Sequence, residues 1–338
     1  MRKKIVYAVA LVAVVVAVAL FAVYRMFYGS AVENSFTLDV GSDDSYATVV
    51  ERVKQHIGND MAFDLYAKRI NLEKSFKTGR YTFEEGMTVI DIARMLKFGS
   101  NATVRLIINN ARTPEALAGR ISQQLDIDSA EMVKLLRSDE MVERMGYKSP
   151  EAMFSMFLPN TYEVFPNITA EELVLRLKDE SDRFWSRDSN RERLEAISLT
   201  PYEVMTLASI VHEETNAQDE MPRVAGVYMN RLRKGMPLQA DPTVKYAVGD
   251  PTLKRILYRH LEVDSPYNTY KHLGLPPTPI AMPDMAAIEA VLNYEQHDYY
   301  YFCARSELDG RHNFARTHGE HERNAAEYHR ALNNMKIK

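Results

Sequence analysis

The sequence predicts an α+β protein: an N-terminal transmembrane helix, a small α/β module, then a mixed, mostly helical domain with a small sheet and proline-rich loops. Three observations carry this. A run of twenty residues, Ile5 to Tyr24, holds no charge and no proline. Residues 36–97 alternate short strand patterns with amphipathic helical ones. From about residue 128 the periodicity turns helical, until eight prolines crowd into residues 235–285. The length, 338 residues, suits roughly two domains of ~100–200 residues. With 26% charged and 46% hydrophobic residues the chain is a folded one, not a disordered one.

The apolar run comes first. At ~1.5 Å per residue a twenty-residue helix spans about 30 Å, the thickness of a bilayer's hydrocarbon core. Arg2, Lys3 and Lys4 precede it and only Arg25 follows closely. The positive charge therefore predicts a cytoplasmic N-terminus and an exported remainder. The alternative is a cleaved signal peptide with Gly29-Ser30-Ala31 as its site, but the run exceeds the ~7–15 apolar residues of such signals. Setting aside residues 1–28, with four basic residues and no acidic ones, leaves 38 basic against 46 acidic, a formal charge of −8. That argues against bulk electrostatic binding of nucleic acid. The single cysteine, Cys303, excludes an internal disulfide and a cysteine-built zinc site. In its Tyr/Phe-rich surroundings it reads as inert packing.

Residues 36–97 read as a weak repeat. Phe36-Thr37-Leu38, a Gly-Ser-Asp-Asp turn and a helical stretch from Tyr46 are echoed by Tyr81-Thr82-Phe83, a Glu-Glu-Gly turn and a helix from Met87. A third pair follows at Val104–Ile108 and Thr113–Leu125, with Thr113 as N-cap and Pro114 at the first helical position. Helices are expected at 129–136, 170–185 and 190–197, interrupted by a loop at 157–162. The proline-rich stretch reads as irregular and as a binding surface. A helix at 283–293, a strand at 299–304 and a C-terminal helix from about His318 complete the chain. The expected boundaries are 1–28, 36–100 and 101–338.

The most informative segment is Thr200 to Asn216. Thr200 and Glu203 form a capping box around Pro201, which starts a helix. Val204, Leu207, Ala208, Ile210 and Val211 define its apolar stripe, and Glu214 falls inside that stripe while Glu213 points to the opposite, solvated face. Burial raises a carboxyl's pKa, as a general acid near neutral pH requires. The competing reading is a buried Glu paired with Arg223, Arg231 or Arg233. His212-Glu213 is no metalloprotease motif, because position 216 is Asn rather than His. His312, His318 and His321 match no strong metal template. Gln239, Asp241, Tyr267, Asn268, Thr269 and Tyr270, on a rigid proline-rich segment, suit an uncharged, hydroxyl-rich ligand such as a sugar, by flat apolar contact and amide hydrogen bonds. The same residues also simply make turns.

Taken together, Ala208-Ser209-Ile210-Val211-x-x-Glu214-Thr215, Asn230-Arg231-Leu232, Leu238-Gln239-Ala240-Asp241-Pro242-Thr243-Val244, Ser265-Pro266-Tyr267-Asn268-Thr269-Tyr270 and Gly274-Leu275-Pro276-Pro277 resemble the endolytic murein transglycosylases of the YceG-like family. The resemblance covers essentially the whole chain. It implies a LysM-like N-terminal module, a catalytic domain over 101–338, and cleavage within peptidoglycan strands between N-acetylmuramic acid and N-acetylglucosamine, leaving 1,6-anhydro ends. It implies Glu214 as the catalytic acid and brings His312, Phe314 and His321 into the family pattern. It calls for no cofactor and no metal. Its implied partners are glycan strands and membrane-bound peptidoglycan synthases, and its place is the cytoplasmic membrane with the catalytic domain outside. Three positions depart from the family: His212 stands where many relatives have Glu, Asn160 replaces an Asp in the Leu158-Pro159-Asn160-Thr161-Tyr162 loop, and Thr278 replaces a common Gly. Two rival readings stay open, a muramidase in which Asp241 activates water and a non-enzymatic wall-binding scaffold.

Overall fold

The computed structural model describes residues 2–41, 44–99, 103–109, 111–164, 168–250, 253 and 256–334; the side chains of 2–11, 13 and 334 lie outside the description. Among the described residues there are three two-stranded sheets and many helices. The chain divides into two compact units, residues 1–105 with 163–168 and residues 106–162 with 169–338.

The first unit opens with helix α1 (Arg2–Tyr28), which takes in the whole apolar run. Val14, Val16, Val18, Leu20 and Phe21 are exposed on it. Among the described residues no helix is long and apolar enough to cross a membrane. The bilayer-crossing helix expected over Ile5–Tyr24 is thus not found, and much of that expectation falls on side chains outside the described residues. Strand β1 (Phe36–Val40), helices α2 (Tyr46–Lys54) and α3 (Asp60–Arg69), strand β2 (Gly79–Phe83) and helix α4 (Val89–Phe98) follow. Both expected strand–turn–helix units are present, β1 with α2 and β2 with α4. β1 and β2 pair antiparallel with each other, Phe36 opposite Phe83 and Leu38 opposite Tyr81, and α3, unforeseen in the sequence, lies between them in the chain. The period-2 pattern sends Leu38, Val40, Tyr81 and Phe83 inward, where Val53, Phe63, Leu72, Ile92 and Leu96 complete a core. Thr88 and Asp91 cap α4 reciprocally.

After strand β3 (Val104–Ile108) come helices α5 (Pro114–Ser122), α6 (Ser129–Leu136), α7 (Asp139–Arg144) and α8 (Pro150–Met153), then strand β4 (Asn160–Val164), which pairs with β3. Thr113 caps α5 with Pro114 in its first turn, as the sequence predicts. The long α9 (Ala170–Ser186) and α10 (Asp188–Ile197) lead to α11 (Pro201–Glu214) and α12 (Met221–Lys234). Helix α13 (Asp241–Val248) lies in the segment expected to be irregular, with Asp241-Pro242 as its first turn. Helix α14 (Met285–Leu292) packs on both α11 and α12. An antiparallel hairpin, β5 (Tyr301–Ala304) and β6 (His312–Ala315), and α15 (His318–Asn334) close the chain. β6, like α3, α7, α8, α13 and the strand β4 that stands where a loop was expected, is an element that the sequence did not announce.

The core of this unit centres on α11. Val204, Leu207, Ala208, Ile210 and Val211 have no exposed surface, and Met205, Thr206 and Ser209 are buried too. The helix is therefore enclosed on all sides, not along one stripe. Its two buried hydroxyls are satisfied: Thr206 Oγ1 donates to Tyr202 O at 2.9 Å, and Ser209 donates to Thr206 O and accepts from Ile280 N at 3.0 Å. Each fully buried Val, Leu or Ile contributes about 1.5–3 kcal/mol, so the helix carrying Glu214 is a rigid strut.

Candidate active site

Glu214 is the last residue of α11. The start of the helix is fixed by the capping box, Thr200 N to Glu203 Oε2 at 2.8 Å and Glu203 N to Thr200 Oγ1 at 3.2 Å. Its end is set at Thr215, whose hydroxyl accepts from Ala217 N at 3.0 Å and turns the chain towards α12. Glu214 is thus held at the mouth of a buried strut. It lines a cleft of about 320 Å³ with Tyr228, Arg231, Leu238, Gln239, Asp241, Tyr270, Tyr301, Phe302, Cys303, Ala304, His312, His318 and His321.

The residue is half-buried, and its carboxyl lies deep enough that loss of water dominates its titration. Burial, with the charges of Asp241 and Glu213, raises the Glu214 pKa from an ordinary 4.5 to about 7; the Tyr228 hydroxyl and Arg231 pull the other way. The C-terminal end of a helix disfavours an anion further. Tyr228, on the facing side of α12, donates its hydroxyl to Glu214 Oε1 at 2.6 Å. None of the three arginines offered as partners pairs with Glu214 among the described residues. Arg223 reaches Glu295 at 3.0 Å, Arg233 the Tyr294 hydroxyl at 2.6 Å, and Arg231 gives its protons to Tyr300 O at 2.6 Å and Leu238 O at 2.7 Å. Glu213 is not the solvated residue the helix pattern suggested: its side chain is 16% exposed and pairs with Arg112 at 2.7 Å.

The YceG-like family matches residues 38–327. This chain belongs to the YceG-like family. It is 26% identical over 313 residues to the endolytic murein transglycosylase of Bacillus subtilis (strain 168), covering 88% of this chain and 85% of that protein. It is 28% identical over 301 residues to the endolytic murein transglycosylase of Streptococcus pneumoniae (strain D39), covering 80% of this chain but only 54% of that longer protein. A crystal structure of a yceG-like protein from Listeria monocytogenes, 28% identical, superposes with a TM-score of 0.55, covering 86% of this chain and 98% of that one.

In this YceG-like chain the residues singled out in the sequence divide into two groups. Gln239, Asp241, Tyr270, His312 and His321 line the cleft with Glu214. Tyr270 donates its hydroxyl to Asp241 Oδ1 at 2.7 Å, which holds that carboxylate at the start of α13. Tyr267, Asn268 and Thr269 do not line it. Asn268 is fully buried and gives its amide protons to Leu261 O at 2.8 Å and Val263 O at 2.9 Å. Thr269 accepts from Ala240 N at 3.0 Å and bonds Thr243 at 2.8 Å. The Tyr267 hydroxyl meets Thr278 Oγ1 at 2.7 Å, and its ring lies against Tyr246. These three brace the proline-rich segment, which in turn positions Gln239 and Asp241. Gln239 has φ of 49°, a left-handed backbone that a non-glycine residue adopts at a cost of about 1–3 kcal/mol. Its N–H is held by Thr269 O at 3.1 Å.

Sequence reasoning missed several cleft residues. Tyr228 sits among apolar residues on α12 and reads as core. Arg231 carries no local sign of burial, yet it is 7% exposed, and its guanidinium ties Tyr300, just before β5, to the 237–239 loop. Cys303 lines the cleft half-buried rather than serving only as packing, and burial pushes its thiol up. His318 and His321 flank the Tyr301 ring at 5.8 and 5.5 Å. Burial lowers the His321 pKa, and its Nδ1 has no hydrogen-bond partner among the described residues. Among those residues no group of three or more His, Cys, Asp or Glu is placed to hold a metal ion. Of the departures from the family pattern, Asn160 is exposed at the start of β4, His212 stands 3.5 Å from Asp284, and Thr278 is buried against Tyr267.

Proposed function

We propose that this protein is an endolytic peptidoglycan lytic transglycosylase, with Glu214 as its single acid and base. The observation that carries the reading is a carboxyl raised to about 7 that lines a polar cleft, in a chain whose family relatives are endolytic murein transglycosylases. In the reaction the protonated Glu214 gives its proton to the glycosidic oxygen of the N-acetylglucosamine that leaves from C1 of N-acetylmuramic acid. The C1–O bond breaks as the muramic ring gains oxocarbenium character. The C6 hydroxyl of the same ring attacks C1 and closes the 1,6-anhydro bridge, and its proton returns to the Glu214 carboxylate. No water enters and the acid is regenerated, so a second carboxylate is not needed. The nucleophile is tethered to the reacting ring, which supplies proximity. Tyr228 holds one carboxyl oxygen, leaving the other to carry the proton. Gln239 and Tyr270 face the same space and would orient sugar groups.

Asp241 supports a second reading. It shares the cleft and acts on Glu214 through its charge, so a hydrolase in which Asp241 activates water has its two carboxylates. Mass spectrometry of digested peptidoglycan separates the two: anhydro ends mark the transglycosylase and reducing ends the hydrolase. A Glu214→Gln protein that still cuts would remove both. A wild-type protein that binds strands and never cuts them would leave a wall-binding scaffold. The apolar run Ile5–Tyr24 supports an N-terminal anchor with the catalytic unit outside the cytoplasmic membrane, within reach of strands leaving membrane-bound synthases. The strand–helix–helix–strand order of residues 36–83 supports a LysM-like, glycan-binding module.

A further inference from the structure

We propose that Glu220 is a positioning residue of this cleft: it fixes the His312 ring so that Nε2 becomes a hydrogen-bond acceptor for the glycan. The inference rests on the glycan-cleaving reading above and deepens it.

Glu220 immediately precedes α12, and its side chain is 7% exposed. A carboxylate so buried requires partners, and both come from one residue. Glu220 Oε2 accepts from the His312 backbone N–H at 3.2 Å and lies 3.1 Å from His312 Nδ1. The next pair along is parallel to it: Arg311 reaches Asp219 with two contacts of 2.7 and 3.0 Å, and its guanidinium lies 3.8 Å from Glu220 Oε1. The turn before α12 and the start of β6 are therefore clamped at two consecutive residues. The His312 side chain is 12% exposed, with the Phe302 ring edge-on at 5.3 Å, so the imidazole has little room to turn.

The consequence is chemical. A carboxylate only accepts, so the ring nitrogen facing it must carry the proton. A neutral His312 is then the Nδ1–H tautomer, and Nε2 holds a lone pair. Nε2 has no partner among the described residues, and His312 lines the cleft that Glu214 opens into. A lone pair there accepts from an N–H or O–H donor, and a glycan brings both, in its acetamido groups and hydroxyls. The backbone bond to His312 alone would anchor β6. The second bond, to the ring, orders a side chain that faces the cleft.

Two substitutions divide the ring's functions. In the full chain His312→Asn keeps an N–H where Nδ1 stood and leaves nothing at Nε2, whereas His312→Gln keeps an acceptor at the Nε2 position and gives up the Glu220 bond. His312→Asn should leave the thermal midpoint near that of wild type and raise KM for uncrosslinked glycan strands about tenfold, the worth of one hydrogen bond to a desolvated group. His312→Gln should retain part of the wild-type KM. Glu220→Leu, which removes the acceptor facing Nδ1, should raise KM in the wild-type background and add nothing in the His312→Asn background. Nitrogen-15 spectra of the wild-type protein should show His312 as the Nδ1–H tautomer. A wild-type KM in His312→Asn, a Glu220→Leu loss that persists undiminished beside His312→Asn, or an Nε2 that carries a proton, in the Nε2–H tautomer or the imidazolium, would each overturn the proposal. A wild-type protein that does not cut strands would instead overturn the parent reading.

Discussion

Replacing Glu214 with Gln should abolish cleavage and, at alkaline pH, make the protein more stable. Burial raises the folded-state pKa of Glu214 from 4.5 to about 7. Between those values the folded protein holds a proton that the unfolded chain has released. Stability from this group is therefore fully present below pH 4.5 and is lost as pH rises through about 7. At ~1.4 kcal/mol per pH unit, that interval corresponds to about 3 kcal/mol lost by pH 8. Gln is neutral throughout, has nearly the same shape, and its carbonyl oxygen still accepts the Tyr228 hydroxyl bond of 2.6 Å. The variant should match wild type at pH 4.5 and exceed it by up to about 3 kcal/mol at pH 8, less to the extent that water entering the cleft solvates the wild-type carboxylate. Urea unfolding at both pH values measures the difference directly. A gap between variant and wild type that is the same at pH 4.5 and pH 8 would show that Glu214 titrates normally and would refute the placement of its carboxyl in a desolvated site.

Two further perturbations test the neighbouring residues. Tyr228→Phe removes the hydrogen bond that lowers the Glu214 pKa, so the carboxyl should rise above about 7 and the alkaline fall of kcat/KM should move to higher pH; a fall that stays in place or moves to lower pH contradicts this. Gly226→Ala on α12 would put a methyl 2.3 Å from Glu295 O and 2.6 Å from His297 Nε2. Both are pinned, Glu295 N to Pro222 O and His297 Nε2 to Arg223 O, each at 2.9 Å. The clash should cost about 1–3 kcal/mol, read as a lower unfolding midpoint; an unchanged midpoint would mean that the 295–297 segment yields freely.

Local signals were legible where the physics is local. The capping box at Thr200 and Glu203 and the Thr113-Pro114 helix start appear in the structure as the sequence predicts, because a cap depends on residues three apart. The helix over 241–248 was hidden by Asp241-Pro242, which reads as a turn although proline is at home in a helix's first turn. The antiparallel pairing of β1 with β2 was hidden for a different reason: the spacing of two strand patterns does not reveal which strand each one joins.

The candidate site was legible only in part because a polar side chain's function depends on which groups use its hydrogen bonds. Asn268 and Gln239 look alike in the sequence, two amides on a proline-rich segment. One is fully buried and spends its amide protons on two carbonyls, while the other lines the cleft on a strained left-handed backbone held by Thr269. Glu220 and Glu213 likewise look like surface acids, and one is buried on His312 while the other pairs with Arg112. In each pair the deciding partner is far away in the chain, so no window of sequence contains it. Glu214 shared that ambiguity: its place on the apolar stripe of α11 predicted burial but not whether an arginine would pair with it, and among the described residues it is the Tyr228 hydroxyl that reaches the carboxyl, which burial raises to about 7.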